Sequence, residues 1–300
     1  MSNVAGAPGT AEKSDGAAAK RGSEALHYAR RNPKLLIGLG IVLGLLLLGI
    51  IAPFFVDHDP NEYIGPQGQA PDGEYWMGTT SFGQDIWAQF VYGLRATFLI
   101  GIFGGGVAFV IGTAVGFVAG YKGGIIDEIL NMLTNVVLVL PALVVLIVVT
   151  AYLEVRGLFV QGVFIGLTSW PWAARAVRSQ ALSLANRDYV DLARLSGRRT
   201  WKIITSEIAP NMSSYLVMSF ILLFGGAILI AAGLDFIGLG PSNGVSLGLM
   251  LESAVGWGAL QRGMWWWFIP PGLGITVIVA SLYILNVGLD EVFNPKLREL

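Results

Sequence analysis

His27 and His58 are the only imidazoles in the chain, and no cysteine accompanies them. Without cysteine there are no disulfides, no thiolate metal sites and no thiol nucleophile. The two histidines flank the first long apolar run, so a membrane there would place them on opposite sides and deny them a shared metal. A Ser–His–Asp arrangement finds no support, because neither histidine has a suitable context. The glycines of "GIFGGGVAF" lack the lysine that a phosphate-binding loop brings to its nucleotide. Catalysis within this polypeptide is not expected, and no cofactor or metal is expected on it.

The stretch "YVDLARLSGRRTWKIITSEIAPN" suggests recognition chemistry instead. Tyr189, Leu192 and Ala193 fall at i, i+3 and i+4 on one helix face, with Asp188 as the expected N-cap. Gly197 supplies a turn. Trp201, Ile204 and Ile208 form a second stripe, which Pro210 is expected to stop. Each helix is shorter than the ~12–15 residues that are marginal alone in water. Their apolar faces must pack on the chain's own helix ends or on a partner, and the pattern leaves both open.

The elements around this pair are apolar. Hydrophobic residues make up 54% of the chain and charged ones 13%, about half the usual share; the mean hydropathy is +0.64. Six runs approach the ~20 residues that span a bilayer: 35–55, 96–120, 129–153, 158–174, 213–234 and 268–289. The expected fold is all-α, a polytopic membrane protein with six transmembrane helices. If the N-terminus is cytoplasmic, all of the 19 basic residues except Arg95, Arg156 and Arg262 fall inside, and both termini do too. The expected organisation is a disordered cytoplasmic tail (1–33), a first transmembrane helix (34–56) and an outer loop (57–95). A core of five further helices (96–300) follows, with a cytoplasmic loop at 175–212 and an outer loop at 235–267.

Within the runs, Gly112, Gly116 and Gly120 recur on one helix face, and Gly101 and Gly105 begin a similar one; helix packing is the favoured reading over a pore lining. Trp265, Trp266 and Trp267 suit the aromatic belt or a solute entrance. Pro270 and Pro271 read as the first turn of the last helix. Away from their ends the runs carry no Asp, Glu, Lys, Arg or His. Ion-coupled carriers usually bury such groups. A transporter of this composition is driven by another subunit. Asn131, Thr134, Asn135, Gln161, Thr168 and Asn286 could line a polar path or bond between helices.

The polar stretch resembles the coupling loop of ABC importer permeases, whose pattern is E-A-A, three residues, G, nine residues and I-x-L-P. Asp191, Leu192 and Ala193 stand at E-A-A, and Gly197 and Pro210 match the glycine and proline; Asp191, Leu192 and Ala209 are departures. "MGTTSFGQDIWAQFVYGLRATFLIG", "LDFIGLGP" and the C-terminal "PPGLGITVIVASLYILNVGLDEVFNPKLREL" are similar to segments of the dipeptide, oligopeptide and nickel branch, with Gln84 replacing a usual Arg. The resemblance implies a type I importer permease, the second of a heterodimer, in a bacterial or archaeal plasma membrane. Its implied partners are another permease, two ATP-hydrolysing subunits that bind ATP and Mg, and an extracytoplasmic solute-binding protein. It implies an ATPase-docking role for Tyr189, Asp191, Leu192, Ala193, Leu195, Gly197 and Pro210. The implied solutes are di- or oligopeptides, with oligosaccharides or nickel chelates as alternatives. A stand-alone channel or carrier and a docking scaffold are the readings from other classes.

Overall fold

The computed structural model describes residues 31–152, 157–242 and 244–293. The expected N-terminal tail lies almost wholly outside the described residues, as does the last part of the C-terminal motif. Among the described residues the chain is all-helical, with one isolated bridge between Thr79 and Asp85.

The helices are α1 (Pro33–Ile51), α2 (Ile86–Lys122), α3 (Gly124–Val139), α4 (Ala142–Tyr152), α5 (Leu158–Ala185), α6 (Asp188–Leu195), α7 (Thr200–Ile203), α8 (Ser213–Phe236), α9 (Leu247–Gly256) and α10 (Trp265–Phe293). Among the described residues, four segments are long and apolar enough to cross a membrane: 33–55, 86–122, 200–236 and 265–293. The pair α3–α4 makes a fifth if it is one broken span, since it bends by 76° at Leu140 and Pro141. The continuous helix expected over 129–153 is therefore corrected. Proline lacks the donor that would carry the ladder across and biases its predecessor away from helix.

α2 is the central post, 37 residues long. Its two glycine faces grip different neighbours. A Cβ on Gly112, Gly116 or Gly120 would stand 2.5 Å from the Ala173 Cβ, 2.7 Å from the Ala174 carbonyl oxygen and 2.6 Å from the Arg178 carbonyl oxygen, all on α5. Gly101 and Gly105 instead lie under Phe224 of α8. Small residues let backbones approach where lipid offers no hydrophobic drive to association. α1 lies against α10, where Gly38 meets Leu285 and Gly288 meets Leu35.

At the end of the bundle where α2 begins, residues 57–85 fold over the helices. Asp85 caps α2 by accepting from the Trp87 N–H, and its other oxygen stands 3.3 Å from His58 Nε2. Trp266 donates to the Thr79 carbonyl at 3.3 Å. The short helix α9 inserts beside α2, α8 and α10, with Leu247, Met250 and Ala254 buried. Pro270 and Pro271 sit in the second turn of α10, not the first, because the helix already begins at Trp265.

Candidate functional site

At the opposite end, α6 and α7 form a helical hairpin beneath the bundle. Arg187, not the expected Asp188, is the N-cap of α6. Asp188 lies one position further in and, with Asp191, puts negative charge on the first turn, where the helix dipole favours it. Gly197 adopts φ 71°. Its N–H donates to the Arg194 carbonyl at 3.0 Å, and the Arg198 N–H reaches the Ala193 carbonyl at 3.3 Å. This is a Schellman closure, which needs a left-handed residue at its centre.

The pair uses both apolar faces. Val190 and Ala193 of α6 join Ile203, Ile204 and Ile208 in a buried cluster with Phe117 of α2 and Val177, Ala181 and Ala185 of α5. Tyr189 packs against the same cluster. Leu192 and Leu195 point the other way, 64% and 85% exposed, and Trp201 beside them is 64% exposed. Tyr189 and Ala193, read as one stripe with Leu192, thus face the bundle while Leu192 faces out.

Polar contacts stiffen the hairpin. Arg194 donates to Asp191 at 2.9 Å, and its guanidinium lies 5.0 Å from the centre of the Tyr121 ring at the end of α2. The Tyr121 hydroxyl, and then Asp191, raise the Arg194 pKa above its ordinary value. Arg198 pairs with Glu207 at 2.5 Å across the two arms. Behind the hairpin, Arg178 of α5 holds Asp127 of α3 with two bonds of 2.5 and 2.6 Å, and Arg175 donates to Asn135 at 2.7 Å. These interhelix pairs had no signal in the sequence, since their members are 40 or 51 positions apart.

Pro210 does not stop the second arm. The helix continues through a π turn at Ile204–Ile208 and a tight turn at Pro210–Met212 into α8. The Ala209 N–H bonds back to the Ile204 carbonyl at 2.8 Å, five residues earlier, and the wider turn accommodates the proline. The hairpin's second arm and α8 are one rod.

A second polar group lies at the far end, where the sequence predicts the start of a loop. Asp235 lies within α8 and is 1% exposed. Gln161 of α5 donates to it at 2.6 Å, and the Ser246 hydroxyl donates to its other oxygen. Its position, one residue beyond the fifth apolar run, conceals this burial.

The model of the binding-protein-dependent transport system inner membrane component matches residues 112–299, and that of the N-terminal TM domain of oligopeptide transport permease C matches residues 21–71. The chain is 31% identical over 277 residues to the dipeptide transport system permease protein DppC of Bacillus subtilis, covering 92% of this chain and 86% of that one. It is 29% identical over 293 residues to the oligopeptide transport system permease protein OppC of the same organism, covering 97% and 95%. The DppC of Alkalihalophilus pseudofirmus is 30% identical over 283 residues, covering 92% and 90%. With a glycine-seamed helical bundle and a hairpin that ends in exposed apolar side chains, the chain belongs to the binding-protein-dependent transport system inner membrane components.

Proposed function

We propose that this chain is the permease subunit of an ATP-driven importer of di- or oligopeptides, and that the α6–α7 hairpin is where an ATP-hydrolysing subunit docks. The observation that carries the docking reading is the division of the hairpin's apolar surface. One face is buried on α2 and α5, while Leu192 and Leu195 of α6 and Trp201 of α7 remain open on a short, braced hairpin. A short amphipathic helix of this kind fits a groove on another protein.

In this reading the chain crosses the membrane six times, with α3–α4 as one broken span and α5 as the span whose charged end carries the hairpin. The excess of Lys and Arg on the hairpin side makes that side cytoplasmic, and the termini with it. Residues 57–85 and α9 then face outward, toward a solute-binding protein. The second permease is a homologous chain, and ATP and Mg belong to the two ATPase subunits. ATP binding closes the ATPase pair and displaces the hairpin, and α5 and α8 move as rigid bodies that alternate access. The peptide assignment comes from the names of the dipeptide and oligopeptide relatives.

The test is co-purification. Leu192→Asp with Leu195→Asp should lower recovery of the ATPase subunits about tenfold or more, as loss of a central apolar anchor does, while the chain stays folded in the membrane. Normal recovery and peptide uptake with both substitutions would rule out the docking site.

A further inference from the structure

Asp235 is a fully buried acid in a helix that crosses the membrane, and none of the ion pairs among the described residues includes it. A charge so placed is costly and needs a reason. Its surroundings are shaped to it. A Cβ on Gly240 would stand 2.7 Å from Asp235 Oδ1, and one on Gly248 would stand 2.6 Å from the Asp235 Cβ. Both glycines leave room for the carboxylate.

Three elements meet at this side chain. Gln161, in the first turn of α5, donates to Oδ1. Ser246, the N-cap of α9, donates to Oδ2 and accepts from the Leu249 N–H at 3.1 Å. The Leu247 N–H points at the Thr97 hydroxyl of α2, at 3.3 Å. The carboxylate therefore lies at the N-terminal end of α9, where the helix dipole favours an anion. Two donors and a dipole replace the missing countercharge, but only while α9 and α5 both stay in place. The other amide atom, Gln161 Oε1, is buried without a donor among the described residues.

We propose that Asp235 is a positioning residue for transport, a latch that holds the outer helix α9 shut against α5 in the conformation described and releases when α5 moves. It rests on the importer reading, because α5 is also the helix that carries the docking hairpin. α5 runs from Gln161 at the latch to Ala185 under the hairpin, so displacement at one end pulls directly on the other.

The absence of cysteine permits a clean test. Thr97→Cys, buried under the N-terminus of α9 and close to threonine in volume, is placed in the full complex in proteoliposomes. Its labelling by a membrane-impermeant maleimide is followed without nucleotide and after trapping with ATP, Mg and vanadate. In this parent, labelling should be low without nucleotide and rise about tenfold on trapping, the scale set by one charge-assisted hydrogen bond. Asp235→Asn, and separately Gln161→Leu, should raise the nucleotide-free rate toward the trapped rate and leave the trapped rate unchanged. Using both variants keeps the test alive if one fails to assemble. Rates equal to the parent in both conditions would overturn the latch, and so would an equal rise in both, which marks simple loosening. A parent without nucleotide dependence, in a complex that hydrolyses ATP, would overturn the importer reading itself.

Discussion

Gly197 is held by backbone conformation alone. A Cβ there would touch nothing within 4 Å, so a larger side chain meets no clash. The penalty is conformational: a φ of 71° costs an ordinary L-residue about 1–2 kcal/mol. Uptake per ATP hydrolysed should therefore fall in the order Gly, Asn, Ala, Val at this position, with expression unchanged, as measured in proteoliposomes. Asparagine ranks next to glycine because it tolerates the left-handed region best. A steric role would instead rank the variants by size. Arg194 makes a second residue-scale prediction. Arg194→Ala removes both the Asp191 bond and the Tyr121 contact, and Arg194→Lys cannot stack its charge on the ring equally well. Both should lower coupling, with lysine intermediate.

Among the elements, α2 and α5 depend on close approach along the glycine seam. Gly116→Leu would drive a side chain into the Ala174 carbonyl and Val177. Overpacking of this kind typically costs about 1–3 kcal/mol, and the thermal midpoint of the detergent-solubilised complex should fall accordingly. The seam was legible in the sequence, because glycines spaced by four residues favour helix packing over a pore lining. It did not tell that Gly101 and Gly105 serve a different neighbour, since periodicity gives a face and not the helix it meets. Residues 57–85 offer a pH prediction. The backbone N–H of Tyr75 chiefly, then that of Glu74 and the Gln69 side chain, hold the Asp72 carboxyl below its ordinary pKa. A depressed pKa contributes stability that is present above the unfolded value and lost as pH falls through the folded one. Amide protection in 72–78, relative to the intrinsic exchange rate, should therefore fall below about pH 4, and Asp72→Asn should remove that dependence.

For the whole molecule, orientation can be read with single cysteines in a chain that has none of its own. Gly73→Cys, in the outer turn, should react with an impermeant thiol reagent from outside intact cells, and Lys202→Cys, on the hairpin, only after permeabilisation. The reverse pattern would invert the topology. Composition and apolar runs were enough to anticipate an all-helical membrane protein, because a bilayer demands long uncharged helices. The exact course of the chain was less legible. Pro141 breaks a run that hydropathy draws as continuous, whereas Pro210 leaves a helix intact that its position appeared to end. The difference lies in local hydrogen bonding: the π turn before Pro210 reroutes the ladder, and Leu140 leaves the helical region before Pro141. Asp235 escaped for a related reason, because a helix that runs two residues further than hydropathy suggests carries its last acid inward.

If an ATPase docks on the hairpin, the helical course from Thr200 to Phe236 acts as a crankshaft. A hinge at Pro210 would let the docking arm swing while α8 stood still. A continuous rod transmits torque, so even a small twist applied at Trp201 turns the α8 face that carries Phe220, Phe224 and Ile228 against α2. Gating force would then reach the bundle as rotation as well as push.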